Sequence, residues 1–518
     1  ALFCGLMAQQ RATLTVTIDS GVVRGYSIPS TACDSAVVRW QAIPYRDASR
    51  ATTSDFAPPR PVAPFGELDC GPSRQPSDAT LSVCSPPLSS DATRPVIVFV
   101  HGGRFEEGSG DQKWYHGQNF ARDGAVFVSI NYRKRFAGFL PIAGEPLPED
   151  FPRDHAGHPA RPYFRGAEDV LCALRWVQRN IAAFGGDPEN VTMVGQSAGG
   201  ALTAWTLCDP RAEGLVHRAV ILSMAWPREN WQGRLGHAER YLGTPLDREH
   251  MRHVTNDHAE AAYTKFAHRY RDDCAVGPGP FQPELMAAVP LLIGTMRDEF
   301  VQMPVAQRVD RMARGKNPVM RLASALLHRR SAEMLGIPGT HMWTDALSGR
   351  KHKNEWLRQW FAYNQEFTPP RPLGRAIGEG AVRRWNVAAM EQRAGAGSQV
   401  GVHTWAYEFH GGPGDTEENG TDAQHCGDLP LLFNVLDQEP AAVAGFCGPN
   451  APDRLQPLAD RFHGIVSAFA RGESPDWPEY QALRGRRPVK LFDMSDSSES
   501  LGEDSYASIR RLFPRMYP

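Results

Sequence analysis

The chain has no dominant charge. Its 518 residues hold 56 Lys and Arg against 58 Asp and Glu, a formal net charge of −2 with a pI near 6.8. Neither a basic nucleic-acid binder nor an acidic solvating chain is built this way. Long apolar runs are missing too: stretches such as Pro95–Val100 and Val289–Gly294 fall far short of the roughly 18 residues that a membrane span requires. No nucleic-acid or membrane partner is therefore expected. There is no internal repeat, and neither GxGxxG nor GxxxxGK[ST] follows a strand, so no nucleotide cofactor is expected. The nine cysteines (4, 33, 70, 84, 172, 208, 274, 426 and 447) show no CxxC or Cys/His spacing, which removes the usual metal sites. An odd, dispersed set suits free thiols in a reducing compartment, so a cytoplasmic location is expected, with secretion as the alternative. Ala1–Ala8 is apolar but carries no basic residue, and Gln9–Arg11 ends it abruptly, so it does not read as a signal peptide.

What is present is ordinary globular material, 42% apolar and 22% charged, with 48 glycines and 42 prolines for long surface loops. Thr13–Ile18 and Gly21–Tyr26 alternate and predict a small antiparallel sheet; Pro58–Pro64 then carries the chain across the surface. From there short apolar runs alternate with helical patterns. Pro95–Val100, Ala125–Ile130, Val191–Val194, Ala219–Ser223, Val289–Thr295, His403–Phe409 and Val489–Phe492 are continuous rather than alternating, as strands covered on both faces are. Val170, Leu174, Val177, Ile181 and Phe184 recur at steps of three and four, predicting an amphipathic helix over Glu168–Phe184. Arg228–Tyr270 mixes His, Arg and Glu with Ala and Leu and predicts solvated helices outside the core. The expected architecture is α/β: a central, mostly parallel sheet flanked by helices, with a small N-terminal antiparallel sheet and helical cap excursions, in one domain over 1–518.

One motif carries chemistry. Gly195-Gln196-Ser197-Ala198-Gly199 lies between the strand Val191–Val194 and the helical pattern Ala201–Leu207. Strand, sharp turn and helix are what a strained nucleophile elbow needs, with small neighbours that let the turn expose the Ser197 hydroxyl. A serine hydroxyl is a poor nucleophile at neutral pH and needs an imidazole, oriented by a carboxylate. Seventeen histidines leave the base open on composition alone. Asp298 and Glu299 stand together after the strand Val289–Thr295; neighbours on an extended segment point apart, so only one can face the imidazole.

Phe184–Gly200 (FGGDPENVTMVGQSAGG) resembles the signature segment of the type B carboxylesterase/cholinesterase-like family of α/β hydrolases. Further points of resemblance, in family order along the chain, are Val22–Gly25, Ala42–Tyr45, His101–Gly103, Asn131–Arg133, Pro290–Thr295 with Arg297–Glu299, and His425 ahead of Asp428–Pro430. The resemblance implies an α/β-hydrolase fold and a carboxylesterase that works without a cofactor or a metal. It implies Ser197 as nucleophile, His425 as base and Glu299 as acid, with Asp298 as the alternative. The backbone N–H groups of Gly103, Arg104 and Ala198 would form the oxyanion hole.

Three departures stand out. Arg104 occupies a position where glycine is usual, Gln196 one where many relatives carry Glu, and Ser77–Val83 is a degraded form of an early family segment. The Arg104 side chain has two places to go: back onto Glu106 or Glu107, or into the pocket mouth, where it would select carboxylated substrates. Cys70 and Cys84 flank the degraded segment, and both a bridge and two free thiols are open. The expected reaction is hydrolysis of a small-molecule carboxylic ester through an acyl-enzyme, with amides or carbamates as the alternative on the same machinery. A non-catalytic binding protein of the same fold is the remaining reading, disfavoured because all three triad residues are present.

Overall fold

A computed structural model describes residues 14–29, 36–48, 56–88, 93–227, 232–271, 273–314, 317–320, 322–323, 371–393, 402–412 and 423–513. Its strands are β1 (Thr15–Ile18), β2 (Gly21–Arg24), β3 (Tyr26–Ile28), β4 (Val37–Pro44), β5 (Glu67–Asp69), β6 (Thr80–Ser85) and β7 (Arg94–Val100). After these come β8 (Val126–Ile130), β9 (Gly186–Gln196), β10 (Arg218–Leu222), β11 (Leu291–Met296), β12 (Thr404–His410), β13 (Pro488–Asp493) and β14 (Glu499–Glu503).

Every apolar run named above lies in one of these strands, within a few residues at the ends. They join one eleven-stranded sheet in the order β14-β13-β12-β11-β10-β9-β7-β8-β6-β4-β3. From β13 across to β8 all pairings are parallel, and the flanks are antiparallel. The sheet is therefore mostly parallel, as expected. Val96, Val98 and Val100 of β7 belong to the core on one face, and Ile97 and Phe99 to the core on the other. Both faces are covered, which is why the run could be continuous; each fully buried Val or Phe contributes roughly 1.5–3 kcal/mol.

The small N-terminal sheet contains the expected antiparallel pair and gains a third strand. β1 and β2 pair antiparallel, but β5 adds to β2 in parallel, so the sheet is mixed. The expected amphipathic helix is α1 (Arg165–Asn180), continued by a 3-10 turn over Ile181–Phe184 that Gly185 ends in a left-handed conformation. It starts three residues early because Arg165, buried, is satisfied by Glu145 and by the carbonyls of Phe136, Ala137 and Leu140. The excursion after β10 contains the helices Gln232–Leu242 and Asn256–Arg269, with residues 228–231 outside the described set. It is less solvated than its composition suggested: Ala238, Leu242, Ala262, Tyr263 and Phe266 are buried in the core.

Parallel pairing brings the C-terminal ends of the central strands to one edge. Val100 sits beside Gly195, Gln196 beside Leu222, Leu222 beside Gly294, and Met296 beside Phe409. The segments that begin at His101, Ser197, Arg297 and Gly411 therefore leave the sheet together, and the candidate residues lie on them or beyond them.

Candidate active site

β9 runs directly into Ser197, whose backbone turns to φ 57°, ψ −120° before the helix α2 (Ala198–Leu207) begins. A non-glycine residue there costs about 1–3 kcal/mol and needs its surroundings to hold it. They do: the Ser197 N–H donates to the Leu222 carbonyl at 2.9 Å, and its own carbonyl accepts from Ala201 and Ala225, each at 3.0 Å. Gly199 has no room for a side chain, because a Cβ would lie 1.9 Å from the Val100 carbonyl oxygen. At Gly102 a Cβ would lie 2.6 Å from Gln196 Oε1 and 3.0 Å from Ser197 Cβ. The loop after β7 is thus pressed against the turn at Ser197.

His425 and Glu299, 126 residues apart, meet here. Nδ1 of His425 is 2.5 Å from Glu299 Oε2, and Nε2 is 2.9 Å from Ser197 Oγ. In the tautomer that this carboxylate selects, Nδ1–H donates to Oε2 and Nε2 accepts the Ser197 hydroxyl. The other oxygen, Oε1, accepts the Met296 N–H at 2.9 Å. Two backbone bonds fasten the loops that carry Glu299 and His425 to each other: Asp298 N–H to Ala423 O at 2.9 Å, and His425 N–H to Glu299 O at 2.8 Å. Asp298 points the other way, its Oδ1 accepting from Arg375 Nη2 at 2.5 Å.

Burial opposes a charge on His425, but the neighbouring Cys426 sulfur and the Glu299 carboxylate together outweigh it, and the pKa is raised well above 6.5. His101 behaves in the opposite way. It is fully buried against Tyr132, and burial helped by the Lys134 charge pulls its pKa down to about 3, so it stays neutral. Gln196 Nε2 donates to Cys426 Sγ at 3.2 Å and is 3.5 Å from His425 Nε2. Asp428, three residues past the histidine, is legible in the sequence only as a point of resemblance: its carboxyl group is fully buried and takes no hydrogen bond from the described residues. Desolvation first, then the charge of Glu299, raises its pKa to about 7.

Gly103, Arg104 and Phe105 all have positive φ, at 112°, 58° and 64°. Among the described residues, nothing accepts a hydrogen bond from the N–H groups of Gly103, Arg104 or Ala198. The Arg104 guanidinium folds back. Nη1 donates to the Arg271 carbonyl at 3.0 Å and Nη2 to the carbonyls of Tyr270 and Asp273 at 3.4 and 2.5 Å. Nε stands 3.6 Å from Glu106 Oε1. Of the two destinations open in the sequence, the side chain takes the one beside Glu106.

Cys70 and Cys84 are free, buried thiols, and burial pushes both up to about 12. Among the described residues no group of three or more His, Cys, Asp or Glu could hold a metal ion, and no helix is long and apolar enough to cross a membrane.

The profile of the carboxylesterase family matches residues 78–231, and that of the α/β hydrolase fold residues 156–329. Phenmedipham hydrolase of Pseudarthrobacter oxydans is 32% identical over 500 residues, 90% of either chain. Para-nitrobenzyl esterase of Bacillus subtilis is 32% identical over 230 residues, 40% of this chain and 43% of that one. In such shorter matches the chain spans less than half the length of the curated relative. Among solved structures, the carboxylesterase EST55 of Geobacillus stearothermophilus superposes over 96% of this chain and 100% of its own, with a TM-score of 0.68 and 24% identity, a likeness of fold.

Proposed function

Since this chain belongs to the carboxylesterase family, we propose that Ser197, His425 and Glu299 hydrolyse a small-molecule carboxylic ester by serine-hydrolase chemistry, within one catalytic domain. The observation that supports it is the continuous relay from carboxylate to imidazole to hydroxyl, at 2.5 and 2.9 Å, ending on a strained elbow serine.

In this reading Ser197 Oγ attacks the ester carbonyl carbon as its proton passes to His425 Nε2. The carbonyl π-electrons move onto oxygen, and the N–H groups of Gly103, Arg104 and Ala198 receive the resulting oxyanion. Glu299 stabilises the imidazolium without taking its proton. The tetrahedral centre collapses, the alkoxide leaves, and Nε2–H protonates it to the alcohol. Water then repeats the sequence on the acyl-serine, His425 taking its proton and returning it to Ser197 as the acid departs. The chain's balanced charge offers no long-range steering, so selection rests on the pocket walls.

The test is a panel of short- and long-chain nitrophenyl esters, with para-nitrobenzyl esters and phenmedipham added because the relatives' names point to them. Wild type should turn over at least one ester and be labelled once by a fluorophosphonate. Ser197→Ala should lose both, with its melting temperature kept. Labelling of the Ala variant at wild-type stoichiometry would move the nucleophile elsewhere.

A further inference from the structure

The catalytic carboxylate has an unusual backing. The helix Pro372–Gly378 passes through a π turn, Glu379–Arg383, into the helix Arg384–Gln392. A single π turn inserted in a helix shifts which residues face a neighbour, and such turns recur at functional sites. Here the first helix lies backbone-first on the acid loop. A Cβ on Gly378 would be 3.2 Å from Glu299 Cβ, and one on Gly374 would be 2.5 Å from Val301 Cα. Asp310 fixes the start of that helix by accepting the N–H groups of Leu373 and Gly374 at 2.9 and 3.1 Å.

Arg375 shares this contact. Its guanidinium reaches the Arg297 carbonyl at 3.5 Å and the Asp298 carboxylate at 2.5 Å, gripping the chain just before Glu299. Arg383, beyond the π turn, reaches the same Arg297 carbonyl at 3.4 Å while pairing with Glu379 and Glu408. Arg375 and Asp298 are both buried. A buried ion pair is a poor source of net stability, because desolvation takes back most of the attraction. Its value here is geometric, since Glu299 has to keep Oε2 within hydrogen-bonding distance of an imidazole held by a different loop.

We infer that Arg375 is a positioning residue for the triad, acting through Asp298 to hold the Arg297–Glu299 turn so that Glu299 stays on His425. The inference rests on the proposed roles of Ser197, His425 and Glu299. Misplacing a catalytic group by about 1 Å can cost about 100-fold in rate, so the loss on releasing this grip should fall between 10- and 100-fold. It should appear in kcat, with KM nearly unchanged, because neither residue reaches the nucleophile. A slacker Glu299 also raises the His425 pKa less, so the acid limb of the pH profile should move down. Among the described residues, the titratable groups that act on Glu299 and His425 include Cys426, Asp428, Tyr407 and Tyr506, and the variants leave all four in place.

Removing Arg375 alone strands a buried carboxylate and risks the fold. The decisive variant is therefore the double substitution Asp298→Asn with Arg375→Met, measured beside Arg375→Lys. The expected result is a folded double variant with kcat lowered at least 10-fold, KM within about two-fold, a pH limb shifted downward, and partial recovery in the lysine variant. A folded double variant with wild-type kcat and an unmoved limb, whatever its melting temperature, would overturn the inference and leave the pair purely structural. The same preparation, titrated with a fluorophosphonate beside Ser197→Ala, separates this from failure of the triad assignment. Label lost only in Ser197→Ala upholds the serine while the kinetics decide on Arg375.

Discussion

Replacing Glu299 with Gln keeps the shape of the side chain and removes its charge, and the hydrogen bonds around it dictate how the amide must sit. Oε1 accepts the Met296 N–H at 2.9 Å, and an NH2 group cannot take that place without two donors facing each other. The amide oxygen therefore stays on Met296, and the NH2 is turned toward His425 Nδ1. The imidazole must then accept at Nδ1 and carry its proton on Nε2, where it points at Ser197 Oγ and cannot receive the hydroxyl proton. A triad with this wrong tautomer loses about 10⁴ in turnover, which corresponds to about 5.5 kcal/mol of transition-state stabilisation. Asp298→Asn, one residue away, only weakens the link to Arg375 and should cost less than about 100-fold. The assay is kcat/KM on a nitrophenyl ester for both variants, with the rate of fluorophosphonate labelling as an independent measure of serine activation. Glu299→Gln should also bring the pH limb down, since the carboxylate that raises the His425 pKa is gone. If Asp298→Asn proves the more damaging change, or Glu299→Gln keeps activity within about tenfold of wild type, the acid has been misassigned.

Arg104→Gly should lower kcat/KM on a neutral ester and on its carboxylated analogue by the same factor, within about two-fold, because the guanidinium is spent on the carbonyls of residues 270, 271 and 273. A loss confined to the carboxylated ester would show the side chain reaching the substrate. Asp428 makes a pH-dependent prediction about stability. Its folded pKa of about 7 exceeds the ordinary 3.8, so between those values the folded state keeps a proton that the unfolded chain releases, and stability falls as pH rises. The shift bounds the penalty at roughly 4 kcal/mol above pH 7. Asp428→Asn removes it, so the gain in melting temperature over wild type should widen from pH 5 to pH 8; a gain that is flat or shrinks with pH would show that the carboxylate is ionised and compensated in the fold.

The elbow was legible because Gly195, Ser197 and Gly199 have local steric meaning: the strand before them, the turn and the helix after them follow from residues within a dozen positions. The central strands were legible for a similar reason, since a run such as Pro95–Val100 buries both faces and needs no knowledge of its neighbours. β4 and β6 escaped because their polar residues are paid for by distant partners. Arg39 is buried on Asp111, and Ser82 satisfies the Ala42 N–H while bonding to Asp111. The choice between Asp298 and Glu299 was open on spacing alone, and it was the resemblance that pointed to Glu299. The placement that turns Asp298 onto Arg375 and Glu299 onto His425 depends on a helix that follows more than seventy residues later. Arg375 left no signal at all: an arginine in a short Gly-containing helix looks like a solvated one until the helix is seen lying on the acid loop.

The way the active edge is threaded has a kinetic consequence. The serine and the histidine are 228 residues apart, and the strand that leads toward the histidine, β12, docks on β11, itself laid against β10. Closing such spans adds little entropy per residue, but contacts of this range form late and slowly in a large α/β chain. A chain emerging from the ribosome can complete β7 to β10 and the serine turn while the base is still unsynthesised. During that interval it presents an elbow serine with no proton acceptor, inert toward the esters around it. Under the proposed mechanism, activity needs β12 in place, so the return of activity on refolding is expected to follow the closing of the sheet rather than its nucleation.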